Sequence, residues 1–508
     1  YSRLIEGLPD APVEQVARAL LNRGVAWGQM GDEDNEIADY SRLIDQLPGA
    51  PVEQVARALL NRGITWGEKG DADSEIADYS RLIEELPGVP VEQVAKALVN
   101  RGLARGRMGD SDEEIADYSR LIEELPDAPV KQVALALVNR GLSWDQKIDA
   151  DKALADFTHV IEGLPDAPLE QVAKALVNRG WLWDQKGERD KEIADYSRVI
   201  DQLPDAPVEQ LAEALRSRAI TWDQKGDAVK ALADFTRLID GLPGAPVEQV
   251  TKALINRGFR SGQKGDADRA ISNYSRVIDQ LPDAPVEQIA QSLVNRGNEW
   301  GQKGDADQAM ADYSRVIEGL PGAPLDQVAQ ALVNRGNEWG QKGDADRAIA
   351  DYSRVIDQLP GAPLEQVARA LFKRGYAWGQ KGDTDKEIAD YSRIIDQLPG
   401  TPDEQVARAL ANRGWHHYEG GMYAAFLSDT EAALEKMPTL DYVAFNLGLA
   451  LLACERDAEA LAAYCRAMEQ FPTEGEKLGL DDLLDAQKSW LSHERAEPFM
   501  RILRPSNC

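Results

Sequence analysis

Cysteine and histidine are scarce in this chain, three and four among 508 residues. Cys454 and Cys465 lie close in sequence and Cys508 is the last residue. That is no disulfide framework, so a reducing cytoplasm is the expected setting and inert thiols the expected role. His159, His416, His417 and His493 lack metal-ligand spacing. The adjacent pair points about 100° apart on a helix, and no zinc-like interval links His493 to the cysteines. Also missing are a glycine-rich phosphate loop, a nucleophile elbow and a calcium loop with its terminal glutamate. Acidic turns such as residues 343–346 read instead as helix N-caps. Neither an enzyme nor a cofactor or metal is expected.

Long apolar runs are lacking too. Residues 443–453, the most apolar stretch, contain Asn446 and are far too short to span a bilayer, and no signal peptide is visible. Positive charge is in deficit: 57 basic against 87 acidic side chains leave a net charge of −30. Such a surface repels phosphate backbones and anionic lipid, so nucleic acid and membrane are not expected partners. It suits a basic partner, and it also keeps a long chain soluble.

What the chain does have is repetition. Residues 298–336 return almost unchanged as 337–375 and, in weaker form, along most of the sequence, with a period of 39 residues. Head-to-tail repeats of that length predict a solenoid in which each unit buries its apolar face against its neighbours. A chain of this length is then one elongated array rather than several globules. The tyrosine that marks the period recurs at Tyr40, Tyr79 and Tyr118, so Tyr1 falls in the middle of a unit and no methionine precedes it. The expectation is a fragment whose missing N-terminal region carries an effector.

One unit, residues 51–87, shows the design. Pro51 suits the first position of a helix and Glu53 its first turn. Val55, Leu59, Gly63 and Trp66 recur at helical spacing, and Gly70 closes the helix in the left-handed conformation, for about 19 residues or roughly 28 Å. Asp71 caps a second helix with the stripe Ile76, Tyr79, Ile83 and Leu86, and Pro87 stops it. The unit is a helical hairpin. Gly63 sits inside its first helix at a cost of ~1 kcal/mol relative to alanine. It returns at Gly24, Gly102, Gly141, Gly180, Gly258, Gly297, Gly336, Gly375 and Gly414, with Ala219 the one substitute. Close contact of the two helices at this point is the expected reason.

A helical hairpin with this glycine, an aromatic residue three positions on (Trp339 after Gly336), a Gly-Asp turn at Gly343, Ala348, the mid-helix Tyr352 and the terminal Pro360 resembles the tetratricopeptide repeat. That family's unit is roughly 34 residues. Here five extra residues lengthen the first helix, and the final unit drops them while carrying Leu447, Gly448, Ala460, Tyr464, Ala467 and Pro472. The resemblance implies an all-α fold, a right-handed superhelical solenoid of antiparallel helical hairpins, with partner peptides on a concave groove. The expected layout is a partial repeat over 1–11, long repeats over 12–438, a 34-residue repeat over 439–472, and a capping helix and tail over 473–508. Residues 480–491 are expected to shield the end of the array, and the apolar cluster Phe499, Met500, Ile502 and Leu503 in residues 496–503 either to dock on that cap or to join to a partner.

Departures from the family pattern carry information. An arginine precedes the glycine in every long unit, as in Arg23, Arg62, Arg101, Arg296 and Arg335, where the family usually has leucine. Glutamate replaces the family's alanine at Glu36, Glu75, Glu114, Glu192 and Glu387. The arginine needs an acid, and the aspartate before the tyrosine supplies it, giving structural ion pairs such as Arg62 with Asp78 and Arg335 with Asp351. The competing reading is an arginine ladder for an anionic ligand. Arg105 and Ser261 replace the tryptophan, and Ile148 replaces the capping glycine; these spots are expected to be locally weaker.

The most variable site is the residue after the glycine: Val25, Ile64, Leu103, Leu142, Trp181, Ile220, Phe259, Asn298, Asn337, Tyr376 and Trp415. In the family this position faces the groove, so Trp181, Phe259, Asn298, Asn337, Tyr376 and Trp415 are the candidate partner-binding residues. Packing against neighbouring hairpins is the competing explanation. The expected function is a noncatalytic interaction scaffold, monomeric as a fragment, that binds a protein or peptide. The alternative is the sensor or regulatory arm of a larger bacterial effector, a signalling ATPase or protease. A self-assembling filament is disfavoured by the C-terminal cap.

Overall fold

In a computed structural model of the chain, residues 1–7, 11–472 and 476–503 are described, and none of them forms a strand. Cys508 lies outside the described residues. The chain divides into two compact units, residues 1–253 and 254–508, the division falling inside helix Val247–Gln263. Both are all-α solenoids.

In residues 1–253 the first helices of successive hairpins are Val13–Gln29, Val52–Glu68, Val91–Arg107, Val130–Gln146, Leu169–Gln185 and Val208–Gln224, each of 17 residues. These helices are shorter than the sequence suggests. Pro51 has ψ 134° and stays outside Val52–Glu68, its ring serving as a rigid lead-in, and Gly70 at φ +80° turns the chain left-handed just beyond the end. Asp71 accepts from the backbone N of Ser74 at 3.1 Å, capping Ala72–Ser80. That helix continues as a π turn over Arg81–Glu85. Its buried stripe is also displaced from the one expected: Tyr79 and Leu82 are wholly buried, whereas Ile76 and Ile83 are half-buried. Leu82 follows Tyr79 by three residues and so shares its face.

Residues 254–508 repeat the arrangement with first helices Val286–Gln302, Leu325–Gln341, Leu364–Gln380 and Asp403–Glu419. A shorter hairpin follows, Asp441–Ala453 with Asp457–Gln470. The single apolar helix expected over 480–491 is instead a π turn at Glu476–Leu480 and a short helix, Asp481–Gln487. Helix His493–Leu503 starts before Ala496 and contains Pro498. Phe499, Met500 and Leu503 are buried with Phe445, Leu449 and Tyr464, so the apolar end of the chain docks on the last hairpin.

Candidate interaction face

Three contacts recur among the hairpins, and the first joins glycine to an aromatic ring. A Cβ added at Gly63 would lie 2.6 Å from Cε1 of Tyr79, and Gly180, Gly336 and Gly448 face Tyr196, Tyr352 and Tyr464 in the same way. The two helices thus approach as closely as a ring on a backbone allows.

The second contact is ionic. Arg62 donates from Nε and Nη2 to Asp78 at 2.8 and 2.6 Å, and Arg335 does so to Asp351 at 2.9 and 2.7 Å. Both partners are nearly buried, and bidentate geometry fixes their register. Each Nη1 reaches back to the preceding hairpin: Arg62 to Ser41 at 2.8 Å and Asp45 at 3.3 Å, Arg335 to Ser314 at 2.9 Å and Glu318 at 3.1 Å. The arginines are therefore engaged on every nitrogen and join consecutive hairpins. This link was not read from the sequence, although a hydroxyl 21 residues before each of these arginines recurs as visibly as the aspartate does. At Asn273 an amide replaces the aspartate and accepts from Arg257 Nε at 2.9 Å.

The third contact satisfies the buried tyrosine hydroxyl, and it takes two forms. Tyr40, Tyr118 and Tyr391 donate to Glu36, Glu114 and Glu387 one helical turn earlier, at 3.1, 3.3 and 3.0 Å. Where alanine replaces that glutamate, at Ala309 and Ala348, Tyr313 donates to Asn298 at 2.8 Å and Tyr352 to Asn337 at 2.9 Å. Phe157 and Phe235, which have no hydroxyl, go with Ala153 and Ala231 and with apolar Leu142 and Ile220.

Carboxylates recur at one place between consecutive hairpins, supplied from different helices. Glu36, Glu75, Glu114 and Glu387 come from second helices and lie against Gly28, Gly67, Gly106 and Gly379. Glu299 and Glu338 come from the following first helix and lie against Gly262 and Gly301. Burial pushes the carboxyls of Glu36, Glu114, Glu299 and Glu338 up. It pushes Glu192 up to about 7, with the charge of Asp184 adding to the effect. Glu387 faces His416 Nε2 at 3.1 Å, and His417 Nδ1 faces Asp429 at 3.1 Å.

The variable site behind each glycine is half-open. Trp181 is 48%, Phe259 52% and Tyr376 56% exposed, and Val25, Ile64, Leu103 and Leu142 are exposed as well. Pairs of these residues edge clefts between consecutive first helices, Ile64 with Leu103 and Asn337 with Tyr376. A family model described as tetratricopeptide repeat matches residues 333–402, which take in the whole hairpin bearing Tyr376. That hairpin matches the tetratricopeptide repeat, and the other long hairpins repeat its pattern.

Among solved structures, a tetratricopeptide repeat protein from Parabacteroides merdae is 19% identical, with 56% of this chain and 99% of that one covered at a TM-score of 0.38. The APC/C hetero-tetramer Cut9–Hcn1 is 13% identical, with 93% and 96% covered at a TM-score of 0.36. No curated protein matches the sequence. Tetratricopeptide hairpins commonly mediate protein–protein interaction. Among the described residues, no helix is long and apolar enough to cross a membrane.

Within the array the six candidate residues are not alike. Trp181, Phe259 and Tyr376 project from their hairpins. Asn298 and Asn337 are half-buried and occupied by tyrosine hydroxyls, a packing duty that removes the reason for assigning them to the groove. Trp415 packs against Tyr418 and Phe426, with ring centroids 5.2 and 6.4 Å apart, and its Nε1 donates to Glu419 at 3.2 Å. Of the spots expected to be weak, Arg105 is tied instead to Asp117 at 2.7 Å, which thus holds two guanidinium groups. Ile148 does carry strain, for it is a β-branched residue at φ +61° where the other long hairpins have glycine or lie close to it.

Proposed function

We propose that the chain is a noncatalytic cytoplasmic scaffold that binds protein segments at the exposed face of its first helices, with Trp181 as an anchor in residues 1–253 and Phe259 and Tyr376 as anchors in residues 254–508. The observation that carries this reading is the exposure of those three large rings at the most variable site of the hairpins, on a frame held by packing, ion pairs and capping. Apolar rings left in water are what an interface uses for its energetic centre. The frame supplies rigidity: no anchor has to be ordered on binding, so less entropy opposes association.

Affinity capture of partners with the parent chain and with Trp181→Ala, Phe259→Ala and Tyr376→Ala tests it. Removing a central ring should weaken capture of the same partner by about 30-fold, corresponding to roughly 2 kcal/mol. Unchanged affinity in all three variants would overturn the reading.

A further inference from the structure

The clefts between consecutive first helices have a chemistry of their own. The one between Val286–Gln302 and Leu325–Gln341 has a volume of about 410 Å³ and is lined by Asn298, Gln302, Tyr313, Asn337, Glu338 and Gln341. Amide side chains surround a single carboxylate. Glu338 is only 9% exposed, yet among the described residues no hydrogen bond or ion pair reaches its carboxylate. Lys342 offsets part of its rise in pKa, but that ammonium is held by Asp307 at 2.6 Å. Glu299, at the equivalent place on Val286–Gln302, is 8% exposed, and its Oε2 is buried without a partner. A buried carboxylate left unpaired is costly, and a cation is what would offset the cost.

The chain itself shows what fits. Between Val52–Glu68 and Val91–Arg107 the corresponding cleft is lined by Glu75 and by Arg107, whose Nη2 donates to Glu75 at 2.5 Å. The residue equivalent to Arg107 is Gln302 or Gln341 in the hairpins of Glu299 and Glu338, so neither brings a cation of its own.

We propose that Glu299 and Glu338 each receive the cationic end of a lysine or arginine from a bound segment, with neighbouring glutamine carbonyls accepting the remaining N–H groups. The proposal rests on the scaffold reading and names the chemistry of its partner. Spacing follows from the frame. The first helices Val286–Gln302 and Leu325–Gln341 touch, which sets their axes about 8–10 Å apart. A polyproline II segment repeats its side-chain direction every third residue, at about 9 Å, whereas a β-strand does so every second residue at about 7 Å. The matching motif is therefore a basic residue at i and at i+3 in a polyproline II conformation. The next cleft ends the series. It has Ala377 where Glu338 would recur, and Lys373 and Tyr376 line it, so a third basic residue is repelled there.

Fluorescence anisotropy with the full chain and labelled proline-based peptides tests the motif. A peptide with lysines at i and i+3 should bind about tenfold or more tightly than peptides with lysines at i and i+2 or with glutamine in both places. Glu299→Gln and Glu338→Gln should each remove about that tenfold, with helicity unchanged by circular dichroism. Glu209→Gln, an equal change of charge at an exposed site, should leave it intact. Affinity that ignores lysine spacing, equal losses in Glu209→Gln and Glu338→Gln, or no binding of any peptide would each overturn the proposal. The probes carry no aromatic residue, so capture by the ring variants above reports on the scaffold reading separately.

Discussion

Two successive hairpins, residues 325–358 and 364–397, share glycine, arginine, aspartate and tyrosine, yet they satisfy the tyrosine hydroxyl differently. In the first, Tyr352 donates across to Asn337 on the facing helix; in the second, Tyr391 donates to Glu387 on its own helix. The choice decides what happens at the variable site. An asparagine used as acceptor is withdrawn from the surface, and Asn337 is half-buried. A glutamate acceptor frees the site, and Tyr376 projects into water. Part of the variation behind the glycine is thus internal compensation, and only the remainder is available to a partner.

The ion pair common to both hairpins gives the largest expected effect and checks that they are otherwise equivalent. Asp351→Ala and Asp390→Ala each strand a nearly buried guanidinium, at about 3–5 kcal/mol. Arrays of repeats do not unfold as one unit, so the loss is read locally, by hydrogen exchange in each hairpin. The two losses should agree to about 0.5 kcal/mol; a larger gap would show that the acceptor and the ion pair are coupled.

The acceptor itself comes next. Asn337→Leu should leave the buried Tyr352 hydroxyl unsatisfied and cost about 1–3 kcal/mol. Adding Ala348→Glu transplants the neighbouring arrangement, and Gly340 has open space where Gly379 accommodates Glu387, so the double variant should recover most of the loss. No recovery would mean that the two acceptors are not interchangeable and the comparison fails.

How much of this could be read in the sequence depended on what repeats. The hairpin, the packing glycine, the partner of each arginine and the capping aspartate all lie within one period, and helical geometry alone places them. The reach of Arg62 to Ser41 lies across two hairpins and depends on how they pack, which periodicity does not state. Asn298 looked like a groove residue because an asparagine fits a core poorly, and the tyrosine hydroxyl that accounts for it is 15 residues away on another helix. The carboxylates behind Gly28 and Gly301 hid because they come from different positions in the unit. Beyond Pro472 the period ends, and the helix expected over 480–491 turned out to be a π turn and one short helix.

The smallest effect separates a glutamate from an asparagine by titration, since only the acid can change charge. Glu192 accepts from the Thr221 hydroxyl through Oε1, and its Oε2 is buried without a partner. Burial raises its folded-state pKa from 4.5 to about 7, so the folded hairpin holds a proton that the unfolded chain has released across that interval. The resulting stability is fully present below about pH 4.5 and is lost as pH rises through about 7. Water near the site reduces the effect to on the order of 1 kcal/mol. Hydrogen exchange in Leu169–Gln185 and Arg189–Ser197, corrected for its intrinsic pH dependence, should therefore show protection falling over that range. Glu192→Gln keeps the shape without the charge and should flatten the profile. If the slope persists in Glu192→Gln, Glu192 is not the titrating group, and it is as inert toward pH as the asparagines of residues 286–358.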